Sequence, residues 1–165
     1  DVYEHKLKLI DDNSKRLGIN IIETQMIDAL KLDASLISKV DYCLVDAPCS
    51  GFGLIRRRPE IKWNRKEDDI KNIINMQYNI LENGSKYVKD GGILIYSTCT
   101  ILKEENVELV KSFLDNNKEF QLVGFNDLLK SGDKMETAKE GFLQLYPHIH
   151  RTDGFFIAKM RKKDR

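Results

Sequence analysis

Two compact apolar runs, residues 41–46 and 92–98, flank a stretch in which Ile70, Ile73, Ile74, Ile80, Leu81 and Val88 recur near a 3.6-residue period. This arrangement constrains the chain more than any other feature. A run bounded by turn residues on both sides, Pro48 and Gly51 after the first and Asp90-Gly91-Gly92 before the second, reads as a strand covered on both faces. Two such strands joined by a helix make a parallel pair, because parallel neighbours need a crossover of a dozen residues or more. The spacing predicts that helix over residues 67–88, with Gly84 an interruption near its end.

The pattern continues on either side. Leu7, Ile10 and Leu17 followed by Gly18 predict a helix over residues 3–17, and residues 19–25 read as a short strand. Val107, Val110, Phe113 and Leu114 share one face of a second crossover helix over 104–117. Residues 120–125 and 155–160 read as closing strands able to pair as an antiparallel edge, separated by a polar stretch, 126–152, that is long for a loop. Alternating strands and helices give an α/β sheet, mostly parallel with an antiparallel edge strand. At 165 residues this is one domain with a core of its own.

Each of the two central runs leads into a cysteine: Cys49 in Asp46-Ala47-Pro48-Cys49-Ser50-Gly51 and Cys99 in Ser97-Thr98-Cys99-Thr100. Ligands of open α/β sheets bind beyond the carboxyl ends of the parallel strands, so the two thiols are candidates for one pocket. Cys43, in mid-strand, reads as a small buried hydrophobe. Three cysteines without zinc spacing favour reduced thiols in a cytoplasmic protein. His148 and His150 lack a partner at ligand spacing, so no metal is assigned. No apolar stretch approaches the ~20 residues that span a bilayer, so no membrane partner is expected.

With 27 basic and 26 acidic side chains, net charge selects no partner, and local clusters must. Arg56, Arg57, Arg58, Lys62, Arg65 and Lys66 surround Trp63. Basic groups interleaved with an aromatic ring suit phosphates and an unpaired base, although such runs also form plain solvated faces. A second basic group, Lys159, Arg161, Lys162, Lys163 and Arg165, reads as a frayed terminus. Asp46 ends its strand where a carboxyl group can polarise a pyrimidine while a thiolate attacks the adjacent carbon.

The string from Asp46 to Gly53, followed by Arg56-Arg57-Arg58-Pro59-Glu60-Ile61-Lys62-Trp63, closely resembles the RNA 5-methylcytosine methyltransferases, in particular the bacterial Sun/Fmu group acting on 16S ribosomal RNA with S-adenosylmethionine. Tyr96-Ser97-Thr98-Cys99-Thr100 with Glu104-Glu105-Asn106, and Asp153-Gly154-Phe155-Phe156-Ile157-Ala158-Lys159, match its later motifs. The resemblance implies a Rossmann-like fold, Cys99 as the nucleophile at C6 of cytosine, Cys49 as the group that assists its release, and Asp46 as the residue that polarises the ring. It further implies cofactor contacts at Asp1, Asp28, Asp46 and Pro48, and RNA contacts at Arg56, Arg57, Arg58, Lys62 and Trp63.

Sheets of that family follow the order 3-2-1-4-5-7-6, and the first strand and its glycine-rich cofactor loop do not occur within this sequence. The expectation is therefore an N-terminally truncated catalytic domain over residues 1–165, impaired in cofactor binding by itself. Its sheet either takes residues 19–25 beside 41–46 or leaves an edge for another chain to cover. An unpaired, solvated 19–25 contradicts both. A noncatalytic RNA-binding fragment or scaffold is the alternative function, and a thiol redox protein a more distant one.

Overall fold

The computed structural model describes residues 1–64, 66–129 and 133–164, in two units spanning residues 1–33 and 34–165. In the first unit, helix α1 (Glu4–Arg16) ends where expected. Gly18 takes φ +67°, and the bonds Gly18 N to Lys15 O and Ile19 N to Ser14 O close the helix. That is the left-handed C-terminal cap glycine favours. Residues 19–25 form no strand; they are largely exposed, with Ile21 at 87%. The end of this stretch and the backbone just after it are tied to Asp1 instead, through Asp1 N to Gln25 O at 3.3 Å and Ile27 N to Asp1 O at 3.2 Å. Neither expected role for this segment in the sheet is adopted.

The second unit runs β1 (Val40–Asp46), a single turn α2 (Ile61–Asn64), α3 (Glu67–Tyr87), β2 (Val88–Thr98), α4 (Val107–Asn116), β3 (Phe120–Leu122), β4 (Phe142–Leu145), α5 (Pro147–His150) and β5 (Phe155–Lys162). The sheet order is β1-β2-β5-β3, with β4 also on β5. β1 and β2 are parallel, and β5 is antiparallel to β2, β3 and β4. Four strands thus point one way and β5 opposes them, the 4-5-7-6 run of the order implied by the resemblance. The two closing strands pair antiparallel as expected, β3 on β5 at that end of the sheet, with β5 lying between β2 and the β3/β4 side.

Crossover helix α3 persists to Tyr87 through Gly84. A Cβ at Gly84 would sit 2.9 Å from Val45 Cγ2 and 3.4 Å from Cys43 Sγ, so glycine lets the helix lie close on β1. Its first turn carries Glu67, Asp68 and Asp69, favourable at the positive end of a helix dipole. The core fills the space between the sheet and α3 and α4: Leu81, Leu94, Tyr96, Phe113, Phe156 and Met160 are buried there. Cys43 packs against this core, as its mid-strand position predicts. On the opposite face Tyr42 and Leu44 of β1 are exposed.

Helix α4 starts three residues later than expected, because residues 103–106 form a turn that buries Glu105 and Asn106. The stretch 126–152 is not a loop. It holds 3-10 turns at Asn126–Leu128 and Asp133–Glu140, strand β4 and α5, and a small second core of Phe125, Ala138 and Leu143. Four residues of β4 were too few for periodicity to reveal. Among the described residues no helix is long and apolar enough to cross a membrane.

Candidate active site

Parallel register places the ends of β1 and β2 side by side, Val45 opposite Tyr96 and Asp46 opposite Ser97. The chain leaves both strands at the same level, and three loops meet there. Ala47 N donates to Ser97 O at 3.0 Å, Gly53 N to Cys99 O at 3.1 Å, and Gly154 N to Gly53 O at 2.9 Å. A Cβ on Gly53 would stand 2.1 Å from the Gly154 carbonyl oxygen and 2.8 Å from that of Cys99, so only glycine fits this crossing. The result brings together the two cysteines that sequence spacing held fifty residues apart. Their sulfurs are 2.9 Å from each other, both half-buried, and Cys99 N donates to Cys49 Sγ at 3.3 Å.

Asp46 is exposed at the rim, with Oδ1 accepting a bond from Ser97 Oγ at 3.1 Å; no described residue bonds its other oxygen. Pro48 is exposed, and its carbonyl accepts from Gln77 Nε2 at 2.9 Å. Thr98 and Thr100, whose hydroxyls read from the sequence as able to orient a bound group, are instead fully buried and bond to Asn106 and Glu105, to which the sequence gave no role. Glu105 is fully buried and accepts from Ser50 N at 2.9 Å, Gln77 Nε2 at 2.8 Å, Thr100 Oγ1 at 3.1 Å and the Ser50 hydroxyl. Asn106 accepts from Thr98 Oγ1 at 2.6 Å and donates to Thr100 O at 3.0 Å, and Gln144 joins at 2.7 Å. The signal available was an acid and an amide directly before a helix face that is otherwise apolar.

The sulfur contact divides the two thiols chemically. Hydrogen bonding from Cys49 lowers the Cys99 thiol to about 7, against the opposing effects of burial and of the Asp46 and Glu105 charges. The same contact, together with deeper burial, raises Cys49 well above the thiol range. The contact thus favours one negative charge on the pair, with the anion favoured at Cys99 and the proton at the more deeply buried Cys49. Burial also raises Cys43. Because folding here favours the anion of Cys99, its reactivity is gained as pH rises through about 7 rather than through the ordinary thiol range. Iodoacetamide labelling followed by peptide mass mapping should show Cys99 titrating first; earlier labelling of Cys49 or Cys43 contradicts the assignment.

Asp1 and Asp28 lie in the first unit. Asp1 Oδ1 accepts from Tyr3 N at 3.0 Å and its Oδ2 pairs with Lys6 at 3.4 Å, while Asp28 Oδ1 accepts from Leu30 N at 3.0 Å. In the basic segment Arg56, Arg58 and Lys62 are exposed, and Trp63 is 79% exposed with Lys62 Nζ 5.1 Å from its ring centroid. Arg57 differs, since its Nε pairs with Asp153 at 3.0 Å. Arg65 and Arg165 lie outside the described residues.

The second basic group is no frayed end. Lys159 and Arg161 of β5 stand opposite Ile95 and Ile93 of β2, Lys162 Nζ donates to Val88 O at 2.9 Å, and Lys163 Nζ donates to Lys118 O at 2.6 Å. These side chains close the end of the sheet away from the cysteines. His150 Nδ1 accepts from Tyr146 N at 2.9 Å, and no group of potential metal ligands occurs among the described residues.

The family model for the 16S rRNA methyltransferase RsmB/F matches residues 1–161. The chain is 40% identical over 164 residues to the probable ribosomal RNA small subunit methyltransferase B of Bacillus subtilis (strain 168), a match covering 99% of this chain and 37% of that protein. It is 36% identical over 159 residues to the ribosomal RNA small subunit methyltransferase F of Shewanella amazonensis, covering 95% and 34%. NSun6 from Pyrococcus horikoshii, solved with SFG, superposes with a TM-score of 0.78 at 30% identity, covering 100% of this chain and 41% of that one. A methyltransferase homolog from Pyrococcus horikoshii gives a TM-score of 0.78 at 34% identity, covering 98% and 52%. The chain thus spans little more than a third of the length of these curated relatives. A family model over residues 1–161 and a relative 40% identical over 99% of the chain show the family: the chain belongs to the 16S rRNA methyltransferase RsmB/F family.

Proposed function

We propose that the chain carries the catalytic centre for methylation of C5 of a cytosine in 16S ribosomal RNA, with Cys99 as nucleophile, Cys49 as its releasing partner and S-adenosylmethionine as methyl donor. The observation that supports this best is the 2.9 Å contact between Cys49 and Cys99 at adjoining ends of two parallel strands. Cytosine is a poor nucleophile at C5, and addition of a thiolate to C6 cures this. The Cys99 thiolate forms a bond to C6, the C5–C6 π pair becomes the C4–C5 π bond, the C4–N3 π pair goes to N3, which takes up a proton, and C5 becomes an enamine carbon. Asp46, at the rim with one oxygen open, hydrogen-bonds ring N3 or the amino group as that charge builds.

S-adenosylmethionine supplies an electrophilic methyl group when bound. The open oxygen of Asp46 fits a donor-bearing ligand, and Pro48, Asp1 and Asp28 are the other residues the resemblance assigns to holding the cofactor. A relative of known structure was solved with an analogue of this cofactor. Once C5 bears both hydrogen and methyl, loss of the C5 proton re-forms the double bond and expels the Cys99 sulfur. Cys49 passes its proton to that sulfur 2.9 Å away as it leaves, and the Cys49 thiolate so formed accepts the proton lost from C5. C6 is hidden in a duplex, so the target base must be unpaired or extruded.

Incubation of the intact protein with methyl-labelled S-adenosylmethionine and unmodified 16S rRNA, followed by nucleoside digestion, should place the label in 5-methylcytidine. Label in another nucleoside, or none, contradicts the proposal. RNA binding without methyl transfer favours the scaffold alternative. These 165 residues contain no glycine-rich cofactor loop, so calorimetry of this chain alone should give no micromolar affinity for S-adenosylmethionine; micromolar binding overturns that expectation.

The exposed basic segment is the proposed RNA contact. Trp63→Ala should weaken binding of single-stranded RNA by about 1–3 kcal/mol through lost base stacking. Replacing Arg56 and Arg58 with alanine should reduce the salt dependence of binding by about two phosphate contacts, whereas Arg57→Ala should change it less because Asp153 already neutralises Arg57. Equal effects at all three arginines in a filter-binding salt titration contradict this division.

A further inference from the structure

Glu105 touches neither cysteine, yet its carboxylate holds the residue that follows each of them. Oε2 accepts from Ser50 N at 2.9 Å and Oε1 from the Ser50 hydroxyl, immediately after Cys49. Oε1 also accepts from Thr100 Oγ1 at 3.1 Å, immediately after Cys99, and the two hydroxyl oxygens are 2.9 Å apart. The carboxylate is itself held: Gln77 of α3 donates to Oε2 at 2.8 Å, and Tyr96 of β2 donates its hydroxyl to Glu105 O at 2.8 Å. Glu105, Ser50, Thr100 and Gln77 are all buried, so no bulk water stands ready to replace the carboxylate as acceptor for the donors it engages.

We propose that Glu105 is a positioning residue: by clamping Ser50 and Thr100 together it sets the distance between the Cys49 and Cys99 sulfurs, and through it the reactivity of Cys99. This rests on the reading of Cys99 as the nucleophile. A thiol-to-thiolate hydrogen bond is short-ranged, and a small parting of the two loops is enough to lose it. The charged or titratable groups acting on Cys99 are Cys49, Asp46 and Glu105, and the two carboxylates both oppose its thiolate. A purely electrostatic role therefore predicts that removing Glu105 makes Cys99 more acidic. A clamp predicts the reverse, because the larger favourable effect of Cys49 is lost.

The test is site-resolved iodoacetamide labelling of this chain across pH, with a thermal melt of each variant. Glu105→Ala and Thr100→Val should move the Cys99 midpoint upward from about 7 and slow its labelling at neutral pH about tenfold. Thr100→Ser, which restores the hydroxyl, should keep the original midpoint. An unchanged or lowered midpoint in a variant that still melts cooperatively overturns the clamp. If Glu105→Ala does not melt cooperatively, Thr100→Val against Thr100→Ser decides, since that pair differs in the hydroxyl that contacts Glu105, Ser50 and Leu102 N. The experiment separates the two claims: faster labelling of Cys49 than Cys99 in the unmodified chain removes the nucleophile assignment, whereas normal Cys99 acidity that no variant alters removes only the clamp.

Discussion

Cys99→Ala should abolish covalent attachment of the intact protein to its RNA, while Cys49→Ala should make the attached species accumulate. Both effects are large because each removes one half of a reaction rather than weakening a contact. Without the Cys99 sulfur no bond to C6 forms, C5 stays unreactive, and methyl transfer should fall below detection. Without Cys49 the bond still forms, but the leaving sulfur loses the proton donor 2.9 Å away and the C5 proton loses its acceptor. Denaturing gels with labelled RNA separate the outcomes: no retarded band for the first variant and a persistent one for the second. The Cys49 variant should also form its adduct more slowly near neutral pH, because the hydrogen bond that lowers Cys99 to about 7 comes first from Cys49. Identical behaviour of the two variants dissolves the division of roles.

Gly53→Ala should be the most damaging single methyl group in the second unit. The added carbon would meet the Gly154 carbonyl oxygen at 2.1 Å and the Cys99 carbonyl oxygen at 2.8 Å, and both are backbone atoms that no rotamer change can move aside. The crossing must open, breaking Gly53 N to Cys99 O and Gly154 N to Gly53 O. Overpacking of this kind costs about 3 kcal/mol, a fall in Tm of about 10 °C for a domain of this size. Gly18→Ala provides the contrast. Nothing lies within 4 Å of a Cβ there, so the cost is only that of a left-handed backbone, about 1 kcal/mol. Equal melting shifts for the two variants would show that the three-loop crossing is not the constraint described.

The central βαβ unit and its two cysteines were legible because they rest on long, local patterns: two covered strands, a 21-residue helix between them and turn residues at each end. Three features were not. Residues 19–25 have the composition of a strand, yet a strand exists only by pairing, and Asp1 takes the nearby backbone bonds instead. β4 is four residues long and is defined by its ladder with β5 rather than by its own sequence. Glu105 reads as one more acid at a helix start, and its burial follows from the meeting of loops that are fifty-five residues apart in the chain. The basic residues divided on the same principle. Arg57 and Lys162 resemble their neighbours in sequence, and only the fold shows that Asp153 and the Val88 carbonyl engage them.

The most direct test of the account is to identify which cysteine carries the RNA. Substrate containing 5-fluorocytidine at the target position cannot lose a proton from C5, so the intact protein should remain bonded to it after methyl transfer. Protease and nuclease digestion followed by mass spectrometry should find the modified nucleotide on the peptide containing Cys99, with the Cys49 peptide unmodified. A nucleotide on Cys49, or none on either cysteine while methylation of ordinary substrate proceeds, contradicts the assignment of Cys99 to attack and Cys49 to release.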